Sequence, residues 1–174
     1  MRTRLKVLLL LLASCAPAEF TNPLTPPGKA SPDKALLGTW KEVDGSLSVE
    51  ISSRAGGVMD FAIPVKGREP QHFEGHVTML GATKVLNLRA VGGELESGRY
   101  LYARYELGAD GLVTFWLMRD SAFRKAVESG ALAGRSTGSP GSLIVSDTPE
   151  NVLRFIKAQK SDELWDKLAV FRKT

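Results

Sequence analysis

Both histidines of the chain fall in one short stretch, Gln71-His72-Phe73-Glu74-Gly75-His76. On a strand, His72, Glu74 and His76 share one face, and Phe73, Val77 and Met79 share the other. Imidazole and carboxylate are metal-ligating types. Positions four apart on a strand, however, lie about 13 Å from each other, too far for both rings to reach one ~2.1 Å coordination sphere. Two adjacent members can chelate only with a third ligand from a neighbouring strand. The row is therefore expected to be a polar, solvent-facing one opposite an apolar core row, and no metal is expected.

Gly134-Arg135-Ser136-Thr137-Gly138 has the glycine and serine spacing of a hydrolase nucleophile elbow. Such an elbow needs a strand leading in, a helix leading out and a later histidine as base. Here a helical pattern leads in and no histidine follows His76, so the segment is expected to be a loop. The carboxylates are scattered. Asp147, Glu150, Asp162, Glu163 and Asp166 fit caps and surface charges, and Glu94 and Glu96 lie in a glycine-rich turn beside Arg99. No pair is placed by spacing as acid and base, and no catalytic set is expected. Tyr100, Tyr102 and Tyr105 lie close together, with Tyr100 and Tyr102 on one face. Tyrosines with one wet end suit a ligand mouth, but the simpler reading is strand residues half-buried in a barrel wall.

These side chains must be positioned by strands. From Leu37 onward the hydrophobic period is mostly two. Strands are predicted over 38–43, 47–52, 58–65, 72–80, 84–91, 100–107, 112–118, 142–146 and 167–173. Glycine-containing turns separate them, including Asp110-Gly111 between two alternating segments, a strong hairpin signal. The pattern predicts a mainly β domain, an antiparallel up-and-down barrel or barrel-like sheet. Two helices interrupt it. One is capped by Asp120 or Ser121 and runs to about Leu132. The other starts with Thr148 at the N-cap and Pro149 at the first helical position and runs to about Lys160.

The N-terminus has a different composition. Arg2, Arg4 and Lys6 precede an apolar run from Val7 to Ala13, which rises only about 10 Å as a helix against a ~30 Å hydrocarbon core. It reads as an export signal rather than a membrane span. Without residues 1–14, three of the 23 basic residues go and none of the 19 acidic ones, so the formal charge falls from +4 to +1. A near-neutral domain has no electrostatic case for nucleic acid. Of nine prolines, five (Pro17, Pro23, Pro26, Pro27, Pro32) lie in residues 16–34. That composition predicts an extended tether reaching roughly 60 Å at most. The expected organisation is a signal peptide over 1–14, Cys15 and the tether over 15–34, and one β domain over 35–174.

Leu12-Ala13-Ser14-Cys15 resembles the lipobox of bacterial lipoproteins, with the basic start, the apolar run, the small residues and the cysteine all in register. The resemblance implies cleavage after Ser14, lipidation of Cys15 and acylation of the new amine, which together exceed the two-signal threshold for stable anchoring. It also accounts for Cys15, the only cysteine of the chain, since a lone thiol in an oxidising compartment is a liability. Ala16 after the cysteine favours an outer-membrane destination. An ordinary signal peptide cleaved near Ala16 or Ala18 is the alternative.

Gly38-Thr39-Trp40 opens the first barrel strand after the lead Ala35-Leu36-Leu37, and is similar to the opening motif of lipocalin and calycin barrels. The resemblance implies that Trp40 plugs the closed end and that Arg172, from the last strand, lies across its ring as a cation–π partner. Two features depart from the family. The first helix falls before the last two strands, and a second helix follows 142–146. The function expected is non-enzymatic: an envelope lipoprotein binding one small lipid or apolar molecule, with Trp40, Tyr100, Tyr102, Phe115 and Trp116 as aromatic candidates around it. The only cofactor expected is the covalent lipid on Cys15. The alternative is an interaction or assembly factor for another envelope protein.

Overall fold

The structure is a computed structural model, and it describes residues 17–29, 32–45, 47–92, 98–136 and 143–174. Seven consecutive strands make an antiparallel meander: β2 (Gly38–Glu42), β3 (Ser48–Ser53), β4 (Met59–Ile63), β5 (Gln71–Leu80), β6 (Thr83–Val91), β7 (Tyr100–Leu107) and β8 (Leu112–Met118). An eighth, β11 (Trp165–Lys173), pairs antiparallel with both β8 and β2 and closes the ring. This is a closed eight-stranded antiparallel barrel, consistent with a lipocalin-like fold. The Asp110-Gly111 turn falls where expected, with Gly111 at φ 75°, a value open to glycine at little cost.

Alternation sets which residues meet inside. Trp40, Val49, Ile51, Met59, Phe61, Leu86, Ala103, Tyr105, Val113, Phe115 and Phe171 form one buried cluster. An eight-stranded barrel is just wide enough to be filled by side chains. Gly75 makes room for two of them: a Cβ there would come within 2.8 Å of both Phe61 and Leu88.

A second core lies outside the barrel wall. It is built from α1 (Asp120–Glu128), α2 (Pro149–Ala158), the short α3 (Ser161–Leu164) and a flap of three strands. The flap consists of β1 (Glu19–Phe20), which pairs with β7 and runs parallel to β10 (Leu143–Val145), and β9 (Gly134–Ser136) beyond it. Phe20, Tyr102, Met118, Phe123, Leu143, Val145, Val152 and Trp165 meet in this core. Helix α2 starts as the sequence predicts: Thr148 Oγ1 accepts from Asn151 N at 3.3 Å, with Pro149 next. Helix α1 stops at Glu128 rather than Leu132, because Gly130 turns into the left-handed region (φ 76°) and the amides of Ala131 and Leu132 fold back onto Ala126 O. At its start the residue before Asp120 makes no side-chain cap, and Asp120 instead accepts from Arg124 one turn on, at 2.8 Å.

The extended tether expected over 15–34 is not what the described part of that segment forms. Residues 17–29 lie as a strap on the outer wall of β5, β6 and β7. Their prolines do exclude helix and long ladders, but three side chains spaced along them, Ala18, Phe20 and Leu24, are buried. Barrel side chains supply the backbone partners that a ladder would otherwise give. Asn87 Oδ1 accepts from Leu24 N at 2.7 Å, and the Tyr102 hydroxyl donates to Asn22 O at 2.5 Å.

Candidate functional site

Two ends of the barrel differ. At the end where β2 begins, the chain before Gly38 forms a plug. Leu36 is fully buried, and Trp40 Nε1 donates to Leu36 O at 2.7 Å. Asp33 Oδ2 accepts from both Lys84 Nζ and the Tyr105 hydroxyl at 2.7 Å. Burial opposes ionisation of Asp33, but Lys84 and Tyr105 outweigh it and hold the carboxyl below its usual value. The same burial, reinforced by Asp33, pushes the Tyr105 phenol up. Trp40 is itself 2 % exposed at this end.

The cation across Trp40 is Lys173, not Arg172. Lys173 Nζ sits 5.5 Å from the ring centroid, and its Cε packs against the space beside Gly38. The parity of β11 explains this: Phe171 is buried inside, so residue 173 shares its face and Arg172 points outward. Lys173→Ala is expected to lower stability by about 1 kcal/mol or less, and Arg172→Ala by less still, both read from denaturant midpoints.

The other end carries its own set of partly buried side chains. Leu47, Ile63, Phe73, Leu88 and Leu117 pack on the inner cluster yet are only half-buried. Leu101, directly opposite Leu88 in the ladder, is half-buried as well. They make an apolar mouth above the aromatic floor of Phe61, Phe115 and Phe171, in which Phe115 and Phe171 meet edge to face at 5.7 Å.

The aromatic candidates do not surround one cavity. Trp40 and Phe115 are inside. Tyr102 is on the outer wall, stacked on Phe20 with ring centroids 3.9 Å apart, and burial raises its phenol pKa. Tyr100 faces outward with Arg89 5.8 Å from its ring, and Trp116 faces outward under Arg104 at 4.6 Å. The mouth leucines and Ile63 were legible only as strand core; their position at the open end needed the closed ring.

The His72–Glu74–His76 row lies on the outer wall as alternation requires, but its members go to separate partners. His72 Nδ1 is 2.9 Å from Asp60. Glu74 takes Arg54 and Arg89, both at 2.9 Å. His76 is not solvent-facing: it is 2 % exposed under the strap, and its Nε2 donates to Thr25 O at 2.7 Å. Beside it Thr25 and Thr78 hydroxyls are 2.6 Å apart, and Asn87 donates to Thr78 at 2.9 Å. Among the described residues no three His, Cys, Asp or Glu side chains come together as a metal site.

Burial lowers the His76 pKa, partly opposed by the Thr25 carbonyl. The unfolded chain therefore binds that proton more readily. The contribution of His76 is complete above its unfolded value of about 6.5 and is lost as pH falls below it. Hydrogen exchange of 18–25 is expected to quicken as pH drops through this range after correction for intrinsic rates, and His76→Gln is expected to flatten that change.

Residues Gly134, Arg135 and Ser136 form β9 rather than a loop, and the Ser136 hydroxyl accepts from Arg124 at 2.8 Å. Thr137, Gly138, Glu94, Glu96 and Cys15 lie outside the described residues. Asp147 precedes the Thr148 cap rather than capping the helix itself: it accepts from Ala133 N at 2.8 Å, Thr148 N at 2.7 Å and Asn151 Nδ2 at 2.8 Å, which lower its pKa. Asp166 accepts from Arg119 at 2.6 Å. No family model, no curated protein and no solved structure matches this chain.

Proposed function

We propose that the protein is a bacterial envelope lipoprotein, held by acyl chains on Cys15, whose barrel binds one small apolar molecule at its mouth. The observation that carries the ligand reading is the ring of half-buried Leu47, Ile63, Phe73, Leu88 and Leu117 at one end, opposite the plugged end. A ligand pocket needs a largely apolar, pre-formed wall, and this ring has one. Each side chain fully covered there gains part of the ~25 cal/mol per Å² of apolar burial. The reading is non-enzymatic because His72 and His76 hold the wall and the strap and face no shared nucleophile. Anchoring rests on the lipobox register, and an outer-membrane destination on Ala16.

Solvent extraction of natively purified protein, followed by mass spectrometry, is expected to release a non-covalent lipid-like molecule. A fluorescent fatty acid is expected to bind, and Leu88→Lys to weaken it at least tenfold while the fold, read by circular dichroism, is kept. Equal binding by the variant, or none by the parent, overturns the ligand reading. Cys15→Ser is expected to leave the membrane fraction or to accumulate unprocessed.

A second reading, an interaction or assembly factor, is favoured by the filled inner cluster. Tyr105, Phe115 and Phe171 leave the lower interior to side chains.

A further inference from the structure

The outer face of the flap is set by its register. Glu19, Ile144 and Arg135 lie side by side across β1, β10 and β9. Thr21 and Ser146 continue that face, and Arg99 joins it from the start of β7, with Nη1 2.5 Å from Glu19 Oε2. Together Thr21, Arg99, Gly134, Arg135, Ile144 and Ser146 line a cleft of about 340 Å³. The opposite face of the flap is committed to the outer core through Phe20, Leu143 and Val145. One face is thus buried in protein; on the other, Arg99, Arg135 and Glu19 stand around Ile144, which is itself only 4 % exposed.

The strap places this face relative to the anchor. Cys15 precedes Glu19 by four Cα steps, at most about 15 Å of chain. Glu19 is fixed in β1, and Ala18 beside it is buried. Arg135 is two strands away, about 10 Å. The headgroup layer of one leaflet is itself roughly 5–8 Å deep. Once Cys15 carries acyl chains, these lengths leave no room for the domain to stand clear of the lipid.

We infer that the outer face of the flap rests on the bilayer, with the phosphate of an anionic lipid headgroup in the cleft between Arg99 and Arg135. This rests on lipidation of Cys15. Glu19 orients the Arg99 guanidinium. Exposed Arg135 supplies the charge in excess, and the Thr21 and Ser146 hydroxyls are donors of the kind phosphate oxygens accept. A basic group held at a headgroup surface is attracted by an anionic leaflet.

The test uses full-length lipidated protein in phosphatidylcholine vesicles, with or without phosphatidylglycerol, containing a headgroup-nitroxide lipid. Since Cys15 is the only cysteine and its sulfur is consumed by the lipid, Ala133→Cys and Ala109→Cys each offer one thiol to a fluorophore. Ala133 is exposed at the edge of the flap, opposite Ser146 and two residues before Arg135. Ala109 is in the β7–β8 turn, seven residues of strand beyond the end of β7 that pairs with β1. The flap label is expected to be quenched several-fold more than the turn label. Phosphatidylglycerol is expected to deepen that quenching, and Arg135→Glu to abolish the deepening. Equal quenching at both positions overturns the membrane-facing surface. A phosphatidylglycerol response unchanged by Arg135→Glu overturns the cleft. The mass of the N-terminal peptide from the same sample reads acylation separately: without acyl chains, the anchoring reading fails and this inference with it.

Discussion

Phe20→Ala is expected to destabilise the domain by about 3–5 kcal/mol, a loss of roughly 10 °C in melting temperature for a domain of this size. Phe20 is 1 % exposed, stacks on Tyr102 and meets Phe123 edge-on at 5.1 Å. It is the one large side chain through which a two-residue strand joins the flap, the barrel wall and both longer helices. Truncation empties the centre of the outer core, and the strap, also tied by hydrogen bonds that include those to Asn87, His76 and Tyr102, loses its largest apolar side chain. The local readout is faster hydrogen exchange over 18–25 than over β3 or β4. If exchange rises equally everywhere, or the melting temperature moves by less than about 3 °C, the strap is not held as described.

Trp40→Ala is the second large effect, again about 3–5 kcal/mol. Trp40 fills the closed end, donates to Leu36 O and carries Lys173 across its ring. Its loss leaves a cavity beside Gly38 and an unpaired carbonyl at Leu36. Trp40→Phe keeps most of the volume and is expected to cost less, with its remaining cost reporting chiefly the lost hydrogen bond. The damage should stay in the barrel: the strap and the helices pack in the other core, so exchange near Phe20 is expected to change only through global unfolding.

The barrel was largely legible in the sequence because alternation survives closure. Strands over 100–107 and 112–118 fall on the residues predicted, and Trp40 is found at the plug. What alternation hides is which neighbour covers a face. His76 reads as a wet position beside Glu74, and it is dry only because Thr25, 51 residues away in sequence, lies across it. The strap itself was hidden by composition. Four prolines remove the periodic signal, while Ala18, Phe20 and Leu24 are too far apart to register as an element. The Arg172 assignment, by contrast, was avoidable. Counting two residues on from the apolar Phe171 points to Lys173, with no tertiary information needed.

The ring closes between the earliest and the latest barrel strands: Trp40 pairs with Lys173. Those positions are 133 residues apart in sequence, so the barrel has high contact order and its last seam cannot form until the carboxyl-terminal strand is available. Until then β2 and β8 expose unpaired edges. A chain cut short before Trp165 would keep both edges permanently, making premature termination a route to aggregation rather than to a smaller working domain.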